Sequence, residues 1–191
     1  MIGVVLAGGA SSRFAGRPKG LALLGGRAMA LRVADVLFKF CGSVVIEAPR
    51  GAGYDALGLP LIHATPEHVG KGPLAALAAG LANTAAQHHV AFAPCDMPLL
   101  TPDIYETLIK AGGAGAYART ANGVEPLVAV LSGKVSAVLR AALAQDELPR
   151  THAVLDRAGV RAIDFADAAP FANVNAPDDL ARLEAIYSRR S

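Results

Sequence analysis

A doubly wound α/β fold with a mostly parallel sheet is predicted by three observations. Short β-branched runs alternate with segments of helical periodicity. Those runs are apolar throughout, as strands covered on both faces are, and Gly or Pro stands at most of the changes between them. With 191 residues, 53% apolar and 18% charged, the chain can bury one sizeable core and is far from the composition of a disordered chain. A single domain over residues 1–191 is expected.

Taken in order, IGVV at the start reads as the first strand. Met29, Val33, Val36, Leu37 and Phe40 then fall on one face of a 3.6-residue helix. SVVIEA (Ser43 to Ala48), LPLIHA (Leu59 to Ala64) and HVAFAPCD (His89 to Asp96) supply further strands. Ala75, Leu77, Ala78 and Leu81 suggest another helix, and Val135, Val138, Leu139 and Leu143 a third. Pro73, Pro102 and Pro177 each stand where a helix should begin, a position at which proline sacrifices no helical hydrogen bond. Asp103 and the Asp178-Asp179 pair beside two of them suit the positive end of the helix dipole. Beyond Asp96 the alternation loosens into GAYART, VEPLVAVL and VRAIDF, which predicts an antiparallel edge.

A formal charge of +2 is too small to indicate nucleic-acid binding. Cys41 and Cys95, the only cysteines, are too few for a disulfide framework or a metal cage. The opening residues lack the basic and long apolar regions of a signal peptide, and no apolar run approaches the ~20 residues of a membrane span. A cytoplasmic protein with neither membrane nor nucleic-acid partners is expected.

The chemistry concentrates in loops after the strands, where α/β sheets bind ligands. The first is LAGGASSRFAGRPKG, Leu6 to Gly20. Gly8 and Gly9 let the backbone approach a ligand closely, Ser11 and Ser12 add hydroxyl donors, and Arg13 and Lys19 bring the charge a triphosphate needs. The loop is not a P-loop, since Gly20 follows Lys19, and it lacks the third glycine of the dinucleotide fingerprint. Its plain alternative is a turn with solvated basic residues. Asp96, closing an apolar strand ahead of Pro98, suits either a Mg²⁺ ligand or a turn cap. GKGPLAAL places Gly70, Lys71 and Gly72 ahead of a helix start that suits a base, ribose or phosphate, or is simply a connection into an Ala-rich helix. Asn173 and Asn175 alternate about Val174, so an extended backbone would point both amides one way; capping of the last helix is the alternative. His88 and His89 have no partners at zinc spacing and read as surface residues.

Together VVLAGGASSRFAGRPKG, GPLAAL, PCDMPLL, EPLVAVL and FANVNAPDDLARLE, in this order, resemble the molybdenum cofactor guanylyltransferases over nearly the whole chain. The resemblance implies a three-layer α/β/α, Rossmann-like fold of the nucleotide-diphospho-sugar transferase type. It implies GMP transfer from GTP to Mo-molybdopterin with Mg²⁺, alongside other proteins of molybdenum cofactor synthesis and the molybdoenzymes served. By this likeness Leu6, Ala7, Gly8, Gly9 and Gly72 contact the nucleotide, Arg13 and Lys19 hold its phosphates, and Asp96 binds nucleotide and Mg²⁺. Asn173 and Asn175 sit by the molybdopterin phosphate or the metal. Where the family often carries an acid before the loop lysine this chain has Pro18, and IEAPR replaces the segment where it often has an Asn near the base. A cytidylyltransferase acting on molybdopterin and a non-catalytic nucleotide-binding regulator are the rival readings.

Overall fold

The computed structural model describes residues 1–8, 18–82 and 84–187. Its centre is a seven-stranded sheet in the order β5-β4-β1-β6-β8-β7-β9, built from β1 (Ile2–Leu6), β4 (Ser43–Glu47), β5 (Leu61–Ile62), β6 (His89–Pro94), β7 (Gly115–Thr120), β8 (Gly123–Ser132) and β9 (Arg161–Asp164). β1 runs parallel to both β4 and β6, with Val4 opposite Val45 on one side and Phe92 on the other. The antiparallel pairing lies in the half of the sheet that ends at β9: β8 opposes β6 and β7, and β9 is parallel to β7. A short hairpin of β2 (Leu23–Leu24) and β3 (Arg27–Ala28) stands apart from it.

Alternation along β1 explains the three layers. Val5 and Ala7 pack with Ala30, Val33, Ala34 and Leu37 of α1 (Met29–Leu37) and with Ile104, Tyr105 and Leu108 of α3 (Pro102–Lys110). Val4 and Leu6 face the other way, onto Leu74, Leu77 and Leu81 of α2 (Gly72–Leu81). The same layer holds α4 (Ser136–Leu143) and α5 (Thr151–Arg157), through Leu139, Leu143, Val154 and Leu155. Each such side chain, fully buried, stabilises the fold by about 1.5–3 kcal/mol before entropy is counted. The last helix, α6 (Pro177–Tyr187), packs Leu180 and Leu183 with Leu24, Met29 and Val174 in a small third cluster.

All three proline-marked helix starts are occupied, with α2, α3 and α6 beginning at or one residue before the proline. The predicted strand over Leu59–Ala64 contracts to Leu61–Ile62, because Pro60 has no N–H for the ladder and β5 borders the sheet. The His89–Asp96 strand ends at Pro94, and Cys95 and Asp96 form the turn beyond it. In β8, Glu125 pairs with Ala118 while Ala129 pairs with the adjacent Tyr117, so Pro126, Leu127 and Val128 form a bulge. A bulge tolerates the proline that a regular central strand would not.

Candidate active site

The chain leaves β1 to form β4 and β5 on one side and then crosses to β6 on the other, so the strand order reverses between β1 and β6. A crevice forms at such a point, at the carboxyl ends of the strands. Here it is a cavity of about 900 Å³, walled by Leu6, Gly8, Glu47, Pro94, Asp96 and the start of α2, with Lys19, Arg50, His63 and Leu127 among its other lining residues.

Lys19 and Asp96 meet there. The Lys19 ammonium donates to Asp96 Oδ2, with side chains 15% and 12% exposed. Lys19 opens a 3-10 turn, Lys19–Leu21, whose geometry Pro18 sets: Leu21 N–H donates to Pro18 O (3.1 Å) and Ala22 N–H to Lys19 O (3.0 Å). Asp96 is held through its backbone, since Cys95 N–H donates to Leu6 O (2.9 Å) and Val174 N–H to Asp96 O (2.8 Å). That last bond carries the Asn173–Asn175 segment to the edge of the site. Val174 is fully buried between the two exposed asparagines. Capping of α6 falls to Asp179, which accepts from the N–H groups of Asn175 and Ala176 at 3.0 Å, and not to the asparagine amides.

Of the residues singled out at the first loop, Leu6 and Gly8 line the cavity, whereas Ala7 packs into the core on the α1 side. Ala7 N–H is already engaged with Glu47 O (2.8 Å). Gly9, Ser11, Ser12 and Arg13 lie outside the described residues. Gly72 starts α2 and lines the cavity with φ +64, a left-handed value that glycine adopts without strain. Lys71 turns elsewhere: its ammonium donates to Leu143 O at the end of α4 (2.7 Å), a carbonyl with no intrahelical partner.

Glu47 entered the sequence reading only as part of the IEAPR segment, and its setting was not signalled there. It is 4% exposed at the end of β4, lines the cavity, and its Oε2 has no hydrogen-bond partner among the described residues. A Cβ on Gly8 would stand 3.0 Å from that oxygen. Burial pushes the Glu47 carboxyl above its ordinary value, against the lowering effect of the Ala64 N–H and of His63. His63 Nδ1–H donates to Ala48 O at 2.7 Å. On β8, Glu125 is also raised, by burial and then by the Asp96 charge, so that the bulge brings a second carboxyl within the field of Asp96.

No group of three or more His, Cys, Asp or Glu side chains that could hold a metal is present among the described residues. A hard divalent cation needs no such cage when substrate phosphates complete its shell, and the oxygen-only Asp96 carboxylate fits that kind of ion. No described helix is long and apolar enough to cross a membrane.

Strand order and crevice are those of a nucleotide-binding α/β domain. The fold is shared by a nucleotidyl transferase from Methanothermobacter, 17% identical with a TM-score of 0.75, over 100% of this chain and 98% of that one. The MobA-like NTP transferase domain matches residues 3–161, and the chain belongs to that family. A relative from Cereibacter sphaeroides named molybdenum cofactor guanylyltransferase is 35% identical over 193 aligned positions, 99% of this chain and 98% of the relative. The crystal structure of molybdopterin-guanine dinucleotide biosynthesis protein A from Archaeoglobus fulgidus is 25% identical, with a TM-score of 0.79 over 99% of this chain and 100% of that one.

Proposed function

We propose that this chain transfers GMP from GTP to the terminal phosphate of Mo-molybdopterin, forming molybdopterin guanine dinucleotide and pyrophosphate, with Mg²⁺ as the divalent ion. The observation that carries the reading is the Lys19–Asp96 pair set in the switch-point cavity, and the guanylyltransferase named above, alike along its whole length, supports it. An oxygen of the molybdopterin phosphate bonds to the α-phosphorus of GTP, the bond from that phosphorus to the bridging oxygen breaks, and its electron pair leaves with pyrophosphate. The attacking phosphate is already anionic, so no side chain has to remove a proton. Position and charge supply the catalysis.

Lys19 exchanges Asp96 for the triphosphate when nucleotide enters, and Arg13 joins it. Gly8, Gly9 and Gly72 let backbone come close to the nucleotide, while Leu6 and Ala7 build the floor beneath it. Asp96, with Asn173 and Asn175 nearby, would hold Mg²⁺, which when bound offsets phosphate charge. Glu47 favours guanine. Its Oε2 is a buried acceptor with no donor among the described residues, and guanine presents two adjacent donors, N1–H and N2–H₂, where adenine and cytosine set a donor beside an acceptor.

Pyrophosphate release with Mg²⁺, Mo-molybdopterin and each nucleoside triphosphate in turn tests the proposal. Release with GTP alone is expected. Release driven by CTP would instead make the chain a cytidylyltransferase with the same machinery, and tight GTP binding with no release would make it a nucleotide-binding regulator.

A further inference from the structure

In the core beside Gly20 and Cys95, the chain neighbours of Lys19 and Asp96, lies Tyr54. It stands on the 3-10 turn Tyr54–Leu57 after β4, entered through Gly53 at φ 84, and is 2% exposed. Its hydroxyl accepts the Gly20 N–H at 3.2 Å, and the Cys95 thiol lies on the same side of Gly20. Burial pushes that thiol up to about 12 and the tyrosine above its ordinary value, so both groups keep their protons. Gly20 directly follows Lys19, and Cys95 directly precedes Asp96. One hydroxyl therefore holds the Lys19–Gly20 peptide and lies beside the side chain of the residue before Asp96. The packing is close enough to dictate the residue at position 20, where a Cβ would stand 2.8 Å from Tyr54 Oη and 3.1 Å from Cys95 Sγ.

We propose that Tyr54 is a positioning residue for nucleotidyl transfer, its hydroxyl fixing the Lys19–Gly20 peptide against the Cys95–Asp96 turn so that ammonium and carboxylate meet the triphosphate as a set pair. The inference rests on the transfer reading given above. It is distinct from a packing role, because the ring fills the core with or without its oxygen. A loosened pair still binds nucleotide through the cavity walls but meets the transition state in poor register, so the loss falls on turnover and spares affinity.

The test is Tyr54→Phe, which keeps the ring and removes the oxygen. Its expected effects are a kcat about tenfold lower, a KM for GTP within about twofold of wild type, and faster hydrogen exchange at the Gly20 amide. A kcat within about twofold of wild type, or Gly20 exchange unchanged, would overturn the proposal, as would a fall in kcat matched by an equal rise in KM. If the wild-type chain released pyrophosphate with no nucleotide, the transfer reading would fail on its own. The brace would then be decided by Gly20 exchange and by the Kd of GTP with Mg²⁺ in the two proteins: faster exchange with an unchanged Kd upholds it, and unchanged exchange, or a weakened Kd, sinks it.

Discussion

Lys19 and Asp96 are 77 positions apart in the chain and come together only because β1 and β6 are neighbours. Each was legible on its own, as a loop lysine and as a carboxylate closing an apolar strand, and their pairing needed the strand order. Asp96→Asn keeps the shape and removes the charge, so a loss of at least about a hundredfold in kcat with an unchanged fold is expected; steady-state kinetics beside circular dichroism check it. Tyr54 was not legible, and Glu47 only as part of the IEAPR segment, since their meaning comes from burial, and burial in a crevice is decided by residues far away in sequence. Glu47 also has a pH signature. Its raised folded value means that the native state keeps a proton which the unfolded chain gives up, so stability falls as pH climbs from 4.5 through that folded value. Glu47→Gln removes the fall. Urea unfolding of both proteins at steps between about pH 4 and 8 should give curves that diverge just above 4.5 and run parallel beyond, with the variant gaining.

At the scale of elements, the sequence read best where one local rule sufficed. Proline at a first helical turn marked α2, α3 and α6, and apolar runs marked β1, β4 and β6. It read poorly where tertiary packing decided. α5 has only seven residues, too short for a periodic stripe to stand out, and its two fully buried residues, Val154 and Leu155, acquire their partners from β7 and β8. The β2–β3 hairpin likewise has two residues a side and no alternation to detect. Helix α2 sits on the sheet through a close approach at Gly80, where an added Cβ would press on the Phe92 ring and stand 3.3 Å from Val4 Cγ2. Gly80→Ala is therefore expected to destabilise by about 1–3 kcal/mol despite the better helix propensity of alanine, a sign that chemical denaturation would reveal.

For the molecule as a whole, both major clusters pack on opposite faces of one sheet, and neither has a sheet of its own. We propose that residues 1–191 form one cooperative unit. Far-ultraviolet circular dichroism and the fluorescence of the four tyrosines, in a chain without tryptophan, should then report the same urea midpoint. Two separate midpoints would divide the chain. GTP with Mg²⁺ at about a hundred times its Kd should add about 2.7 kcal/mol to that stability, because its site exists only where the strand ends converge.

The bond from Val174 N–H to Asp96 O also has a meaning in time. Synthesis begins at the amino terminus, so the walls of the cavity, supplied by β1, β4, α2 and β6, are made well before residue 174. The match to the family's shared domain, too, ends at residue 161. A nascent chain halted short of Val174 carries the residues that line the pocket but lacks the donor that secures the Asp96 carbonyl. The walls of the candidate site are thus made before the backbone donor that secures the Asp96 carbonyl.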